Sequence, residues 1–219
     1  MKAGLSVIIP TYNEERAILA TIEELHGTLR EAGLPYQIIV VDDCSSDGTA
    51  EVLRSAGGAE ALGITLVTHR VNRGYGAAIK TGAKHAEHAV LCITDSDGTY
   101  PNAMIPTLYR EMEGRDMVVG ARIGANVHIP WLRRLPKAFI NVLASYVADE
   151  RIPDLNSGLR LFTKELFDTF VKLYPNGFSL TSTITLAALT NGYDVKYVKI
   201  DYHKREGRSK IRPIKDTLN

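Results

Sequence analysis

Two carboxylates one residue apart, Asp95 and Asp97, follow the apolar run "AVLCIT". In an extended chain residues i and i+2 point to the same side, so these side chains are expected to aim at one point, with Ser96 turned away. Repulsion between two such carboxylates is relieved by a shared proton or a shared divalent cation. Oxygen ligands without an adjacent His or Cys favour Mg²⁺ or Mn²⁺ over zinc. The alternative is a solvated turn, since Asp, Ser and Gly are also common loop residues.

A second acidic pair, Asp42 and Asp43, ends the apolar run "YQIIVVDD". A carboxylate at this position can accept hydrogen bonds from the N–H edge of a uracil or a guanine, which selects the matching base. Ser46 or Asp47 is the expected N-cap of a helix that begins near Thr49. We therefore assign part of this acidic cluster to ligand binding and part to capping.

Short runs rich in β-branched residues alternate with helical stretches in the first half of the chain. The runs are 5–10, 36–43, 64–69, 89–94 and 116–121, and the helical stretches are 14–32, 49–56, 75–87 and 102–113. This alternation predicts an α/β fold with βαβ units and a mostly parallel sheet, covered on both faces. Ligands of such sheets bind beyond the carboxyl ends of the strands, where both acidic pairs, residues 12–14 and Arg122 are expected.

The second half of the chain is less regular. A helix interrupted near Pro136 is predicted over 131–150, strands over 157–163 and 194–203, and helices over 164–173 and 182–190. Since no linker or repeat divides the sequence, a single domain over 1–219 is expected. Small residues at Gly74, Ala78, Gly82 and Ala86 indicate a helix packed closely on the sheet, and this segment lacks the G-x-G-x-x-G spacing of a Rossmann dinucleotide site.

The composition is typical of a soluble globular protein, with 45% apolar and 23% charged residues among 219. The net charge of +1 gives no overall field that would attract nucleic acid. Cys44 and Cys92 lack metal-ligand spacing and are expected to be reduced thiols in a cytosolic protein. No apolar run approaches the ~18 residues of a membrane-spanning helix, and the run before Pro10 is too short for a signal peptide.

Seven segments occur in the order seen in family 2 glycosyltransferases of GT-A fold. They are "SVIIPTYNEE", "VVDDCSSDGT", "RGYGAAIKTGAKHA", "DSDGTYP", "GAR", "DLNSGLRLF" and "REGRSK". More narrowly, the chain resembles the branch that includes dolichyl-phosphate mannose synthase and bacterial polyprenyl-phosphate glucosyltransferases. The resemblance extends from about residue 5 to residue 215, nearly the whole chain.

The resemblance implies that a hexose is transferred with inversion from a nucleotide-sugar donor, UDP-glucose or GDP-mannose. By position in the motifs, Pro10, Tyr12 and Glu14 would line the nucleoside pocket, and Asp42 or Asp43 would read the base.

The same resemblance implies a divalent ion, Mg²⁺ or Mn²⁺, bound by Asp95, Asp97 and Thr99, with Ser96 among the donor-binding residues. Thr99 stands where some relatives carry Gln, so a water molecule is the alternative third ligand.

Fixed positive charges are expected beside the leaving diphosphate. The resemblance implies that Arg122, Arg205 and Lys210 contact the diphosphate or the acceptor phosphate, where they would stabilise the charge that develops. Residues 196–215 hold eight Lys or Arg and two acids, which suits phosphates and anionic lipid head groups.

A polyprenyl or dolichyl phosphate acceptor is already an anion and needs little or no general base. A hydroxyl acceptor would need one, for which Asp154 or Asp97 is the candidate.

Residues 129–147 have the composition of an interfacial helix, although a core-facing helix would look almost the same. The residues expected to share one face, beside Arg133, Arg134 and Lys137, are Trp131, Leu132, Leu135, Phe139, Leu143 and Val147. With the resemblance, we expect a peripheral protein on the cytoplasmic face of the membrane. The chain stops where some family members continue into transmembrane helices.

Three other interpretations stay open. The same fold could use a sugar hydroxyl as acceptor in polysaccharide synthesis. A sugar-nucleotidyltransferase would need a Gly-rich phosphate loop with Arg or Lys, whereas this chain has "PTYNEE". A non-catalytic nucleotide-sugar sensor is disfavoured because Asp95 and Asp97 are both present. A homo-oligomer is compatible with the sequence.

Overall fold

The computed structural model describes residues 2–127 and 134–203, and in these ranges all side chains except those of 124–127 and 134–140. Arg205, Lys210 and most of the basic stretch therefore lie outside the described residues. The same holds for Trp131 and Leu132, and for the side chains of Leu135 and Phe139.

Strands and helices alternate through the first half of the chain, as the sequence predicts. The strands are β1 (Lys2–Thr11), β2 (Tyr36–Asp42), β3 (Thr65–Thr68), β4 (His88–Ile93), β5 (Met117–Val127), β6 (Arg160–Thr163) and β7 (Val195–Tyr202). The helices are α1 (Ile18–Glu31), α2 (Thr49–Ser55), α3 (Gly58–Ala61), α4 (Tyr75–His85), α5 (Ile105–Arg110), α6 (Arg134–Ala148), α7 (Lys164–Phe170) and α8 (Leu180–Thr190). A short 3-10 helix, Asn102–Met104, precedes α5, and the sequence patterns predicted every helix except α3.

The described strands form one sheet in the order β3-β2-β1-β4-β6-β5-β7. All neighbouring strands are parallel except β6, which is antiparallel to both β4 and β5. The predicted α/β fold with a mostly parallel sheet is confirmed. Because β6 is reversed, it begins at the edge where the other six strands end. The single domain over 1–219 stays a prediction, since 204–219 lies outside the described residues.

Apolar side chains cover both faces of the sheet because consecutive strand residues point to opposite sides. In β1, Ile9 joins the core cluster that contains Leu25 of α1, and Ile8 joins the cluster that contains Ile79 of α4. Gly82 of α4 lies so close to Ile8 that a Cβ would be 2.5 Å from its Cγ2. The predicted close packing of this helix on the sheet is confirmed.

Two local predictions are corrected. Helix α6 continues through Pro136 without a break, because proline in the first turn removes only an N–H that has no partner within the helix. Helix α2 begins at Thr49 as predicted, but its N-cap is Gly48. Asp47 supports the helix start from one position earlier, where its Oδ1 accepts the backbone N–H of Thr49 at 2.9 Å.

Candidate active site

The ends of β1, β2 and β4 lie side by side at one edge of the sheet. Thr11 of β1 is paired with Asp42 of β2. Ser96, which follows β4, is buried, and its hydroxyl donates to the backbone oxygen of buried Pro10 at 3.4 Å. Ser96 is thus turned toward β1, as the alternation predicts, and its predicted contact with the donor stays a prediction.

Asp43 is a carboxylate whose hydrogen bonds come from the protein itself. It is only 3% exposed. Its oxygens accept the backbone N–H groups of Arg73 at 2.8 Å and Gly74 at 2.7 Å, and Nδ1 of His69 lies 2.6 Å away. Nε2 of His69 is in turn 2.9 Å from the hydroxyl of Thr81. Asp43 therefore anchors the loop that leads into α4.

Asp42 is also buried, but its contacts differ. Its Oδ1 accepts the backbone N–H and the hydroxyl of Ser45 at 3.0 and 2.5 Å. Among the described residues, no hydrogen bond reaches Oδ2. Of the two predicted base readers, the geometry favours Asp42 and gives Asp43 a supporting role.

Residues 12–14 are tied to the segment that follows β2. The backbone N–H of Asn13 donates to the hydroxyl of Ser45 at 2.9 Å, and Oδ1 of Asn13 accepts the backbone N–H of Ser46 at 2.7 Å. Asn13 has a φ of +54°, which an Asn adopts more readily than most residues. Tyr12 is 36% exposed at this edge. The motifs around Tyr12 and Glu14 and around Asp42 thus form one surface, and the lining of a nucleoside pocket by Tyr12 and Glu14 stays a prediction.

Asp97 is held by the residue predicted as the third metal ligand. Its Oδ1 accepts the backbone N–H of Thr99 at 3.1 Å and the hydroxyl of Thr99 at 2.6 Å. Thr99 also shares a side-chain hydrogen bond with Tyr202, at the end of β7. Burial raises the pKa of Tyr202, and the charges of Asp95 and Asp97 both raise it further. Asp97 and Tyr202 are thus linked through the Thr99 hydroxyl. The convergence of Asp95 and Asp97 on one ion and metal binding by Thr99 stay predictions.

Asp95 lies between α4 and the segment before β6. Its Oδ1 accepts the hydroxyl of Tyr75 at 3.1 Å. On the other side, a Cβ at Gly158 would lie 3.2 Å from both carboxylate oxygens of Asp95. The backbone N–H of Gly158 donates to the hydroxyl of Tyr100 at 2.6 Å. The missing side chain at Gly158 therefore leaves the space that the Asp95 carboxylate fills.

The chemistry of these donors fits a hard divalent ion. Within the described ranges, no group of three or more His, Cys, Asp or Glu residues is arranged to hold a metal. Binding of a metal by Asp95 and Asp97 stays a prediction. Two carboxylates suit Mg²⁺, which completes its shell with substrate phosphates and water, and Mn²⁺ accepts the same ligands.

Arg122 and Asp154 form a bidentate ion pair. Nε and Nη2 of Arg122 donate to Oδ2 and Oδ1 of Asp154 at 2.8 and 2.9 Å, and the Arg122 backbone N–H also donates to Oδ2 at 2.9 Å. Burial by itself lowers the pKa of Arg122, but Tyr100 and Asp154 outweigh it, so the net direction is upward. The guanidinium also lies 5.2 Å from the ring centroid of Tyr202. This geometry disfavours Asp154 as a general base, because both its oxygens already accept hydrogen bonds from Arg122.

A buried arginine holds the segment that carries Asp154. Arg160 is 0% exposed. It donates to the backbone oxygens of Ser157, Leu155 and Thr181 and to the hydroxyl of Thr185. Sequence reasoning missed this arginine and four other residues of the site: Tyr75, Tyr100, Gly158 and Tyr202. All but Tyr202 lie inside the quoted motifs, which was the available signal.

Residues 6–170 match the family described as Glycosyl transferase family 2. The chain belongs to this family. It is 30% identical over 190 residues to the undecaprenyl-phosphate 4-deoxy-4-formamido-L-arabinose transferase of Serratia proteamaculans, covering 82% of this chain and 57% of that protein. It is 29% identical over 216 residues to the dolichyl-phosphate hexose transferase of Haloferax volcanii, covering 96% and 87%. The chain thus spans little more than half of the first relative and most of the second.

The fold is shared with solved glycosyltransferase structures. Glucosyl-3-phosphoglycerate synthase from Mycobacterium tuberculosis in complex with UDP aligns with a TM-score of 0.73 at 19% identity, over 95% of this chain and 74% of that one. The same enzyme in complex with Mn²⁺, UDP and phosphoglyceric acid gives 0.73 at 20% identity, over 99% and 74%. This likeness confirms the predicted GT-A fold.

Proposed function

We propose that this family 2 glycosyltransferase moves a hexose from a nucleotide-sugar donor to a polyprenyl or dolichyl phosphate, with inversion at the anomeric carbon. The observation on which the proposal depends is that Asp42, the Asp95–Asp97 pair and Arg122 lie along the same edge of the sheet. The acceptor class is supported by the undecaprenyl-phosphate and dolichyl-phosphate sugar transferases to which the chain is similar.

In this proposal, Asp42 accepts a hydrogen bond from the base through Oδ2, beside Pro10, Tyr12 and Glu14. Asp95 and Asp97 hold Mg²⁺ or Mn²⁺, which when bound neutralises charge on the leaving diphosphate.

Arg122 supplies a fixed cation for a phosphate at this edge. Two nitrogens of its guanidinium donate hydrogen bonds to Asp154, which fixes the orientation of the group. The positive charge is therefore already in place when the bond between the sugar and the diphosphate breaks. Arg205 and Lys210, outside the described residues, are proposed to contact the diphosphate or the acceptor phosphate on the resemblance alone.

The acceptor phosphate attacks the anomeric carbon from the face opposite the leaving diphosphate, which inverts the configuration. A phosphate is already anionic at neutral pH, so delivery in line is the main requirement. The engagement of Asp154 by Arg122 supports this acceptor, since a sugar hydroxyl would need a base and Asp154 was one of its two candidates.

A lipid acceptor also requires contact with a membrane, and α6 offers a suitable surface. Val142, Leu143, Tyr146 and Val147 are 69%, 53%, 84% and 59% exposed and lie on one face of the helix. We propose that this face touches the cytoplasmic side of the bilayer that holds the acceptor. None of the described helices is both long and apolar enough to cross a bilayer.

The test begins by screening nucleotide sugars with Mn²⁺ for thermal stabilisation of the protein, since a bound donor raises the unfolding temperature. The stabilising donor is then incubated with a polyprenyl phosphate or with the matching polyprenol. Transfer to the phosphate alone, giving a product from which mild acid releases the sugar, is the expected result. Transfer only to hydroxyl acceptors, with an acid-stable product, would contradict the proposal.

A further inference from the structure

Tyr75, the first residue of α4, connects the two acidic pairs of the site. Its hydroxyl donates to Oδ1 of Asp95 at 3.1 Å. The two residues before it, Arg73 and Gly74, donate their backbone N–H groups to the carboxylate of Asp43. Hydrogen bonds at both ends of the segment 73–75 therefore connect Asp43, after β2, with Asp95, after β4.

The start of α4 is fixed from a second side as well. The backbone N–H groups of Gly76 and Ala77 both donate to the backbone oxygen of Asn176, at 2.7 and 3.2 Å. The ring of Tyr75 stacks on Phe178 with centroids 5.2 Å apart and planes 23° apart. Gly76 is packed so closely that a Cβ would lie 2.3 Å from the backbone oxygen of Pro175. The Tyr75 hydroxyl thus has a defined position before it meets Asp95.

We propose that Tyr75 is a positioning residue that orients the Asp95 carboxylate for the divalent ion, and that Asp43 acts on the same carboxylate by fixing the backbone before Tyr75. The inference rests on the proposed function. A hydroxyl donating to a carboxylate makes a charge-assisted hydrogen bond, which restricts rotation of that carboxylate. Groups that orient metal-binding carboxylates in this way are typically worth about 10- to 100-fold in metal affinity or activity.

The chain offers a matched control for the loss of one tyrosine hydroxyl. The hydroxyl of Tyr174 is buried and has no hydrogen-bond partner among the described residues. Tyr174 packs in the core, where its ring lies against that of Phe167. Tyr174→Phe therefore removes the same atom from the same kind of ring without removing a hydrogen bond to a carboxylate.

The experiment compares the full chain with Tyr75→Phe, Tyr174→Phe and Asp97→Asn. Mn²⁺ is titrated in the presence of saturating UDP and, in parallel, GDP, and free Mn²⁺ is read from its electron paramagnetic resonance signal. We expect Tyr75→Phe to weaken Mn²⁺ binding about tenfold, with unchanged metal-free nucleotide binding and with turnover that recovers as Mn²⁺ is raised. Tyr174→Phe should match the unmodified chain, which separates positioning from a general effect on packing.

Two outcomes overturn the inference, and they differ in what else they overturn. If Tyr75→Phe binds Mn²⁺ as tightly as Tyr174→Phe while Asp97→Asn loses the ion, the positioning role is wrong and the proposed function stands. If Asp97→Asn also retains the ion, the metal site of the proposed function is wrong, and the inference fails with it. A second variant, Phe178→Leu, keeps the Tyr75 hydroxyl but removes the ring on which Tyr75 stacks. It should weaken Mn²⁺ binding less than Tyr75→Phe does.

Discussion

The ends of β2 and β4 both carry two acids, yet the two pairs are used differently. At the end of β2 the acids are adjacent, so their side chains leave the chain in different directions. Asp43 accepts hydrogen bonds from the loop before α4, while Asp42 accepts them from Ser45, in the segment that directly follows β2. At the end of β4 one residue separates the acids, and they accept hydrogen bonds from the hydroxyls of Tyr75 and Thr99, respectively. Asp43 is thus the acid that holds the loop before α4, whereas Asp95 and Asp97 are the pair that we propose to share a divalent ion.

Asp154 resembles Asp43 rather than the acids after β4. Its two oxygens accept hydrogen bonds from Arg122, just as the oxygens of Asp43 accept them from the loop before α4. The acids of the site therefore include two that hold protein groups in place. Substitution of an acid that holds protein groups should therefore lower stability, whereas substitution of an acid that binds the ion or the nucleotide should lower activity or ligand binding.

The largest effect is expected for Asp97→Asn. It should lower transfer by about 10³-fold, because charge on the leaving diphosphate would no longer be neutralised by a bound ion. The matched control is Asp168→Asn, since Asp168 is a half-exposed partner of Lys164 far along the chain from both pairs. Full activity of Asp97→Asn in a transfer assay with Mn²⁺ would contradict the assignment of Asp97 to metal binding, and with it the contrast between the two acidic pairs.

A large effect on both activity and stability is expected for Asp154→Asn. Removing one partner of a buried ion pair leaves Arg122 uncompensated and should lower the free energy of unfolding by about 3 kcal/mol. Turnover should fall about 10²-fold as the guanidinium loses its position. Urea unfolding and the pH dependence of turnover check this. A general base would instead give unchanged stability and a loss of rate that hydroxide partly restores.

Glu111→Gln serves as the control for that variant. Glu111 pairs with Lys196 at the surface, and each side chain is more than a third exposed. Screening by solvent makes such pairs weak, so this substitution should change neither stability nor turnover appreciably.

An intermediate effect separates the two acids after β2. Asp42→Asn should weaken UDP or GDP binding about tenfold with or without metal, because it alters hydrogen bonding to the base. Asp43→Asn should lower the free energy of unfolding by about 2 kcal/mol, since an amide cannot accept all the donors that Asp43 accepts. Calorimetric titration and thermal unfolding of both variants test this. The roles assigned to the two acids are wrong if Asp42→Asn lowers stability and Asp43→Asn weakens nucleotide binding instead.

The smallest effect is expected away from both acidic pairs, on the exposed face of α6. Leu143→Ser combined with Tyr146→Ser should reduce binding to vesicles that contain anionic lipids by about three- to tenfold. Leu173→Ser is the control, because Leu173 is 63% exposed on another part of the surface. Equal vesicle binding by the α6 variant and the Leu173→Ser control would contradict the proposed contact between the α6 face and the membrane.

Several features of this protein were readable from local patterns. The apolar runs predicted the first five strands, because a strand buried on both faces must be apolar at successive positions. Both acidic pairs were expected at one edge, because parallel strands end on the same side of a sheet. The motifs predicted the family, which the match over residues 6–170 confirms.

Other features depended on contacts between distant parts of the chain. The run that forms β6 was predicted as a strand, but four apolar-rich residues do not specify direction. Its reversal brings residues 154–158 to the edge, so that Asp154 meets Arg122 and Gly158 makes room for Asp95. The choice between Asp42 and Asp43 also required the loop before α4 to be in place.

The sequence by itself determined the strands, the family, and the positions of carboxylates that suit a hard divalent ion. These follow from side-chain alternation and polarity among close neighbours in the chain. Only the tertiary structure decided which acids hold protein groups and which tyrosine donates to Asp95. Such assignments depend on hydrogen bonds between residues 20 to 32 positions apart, whose partners are fixed by the packing of the whole sheet.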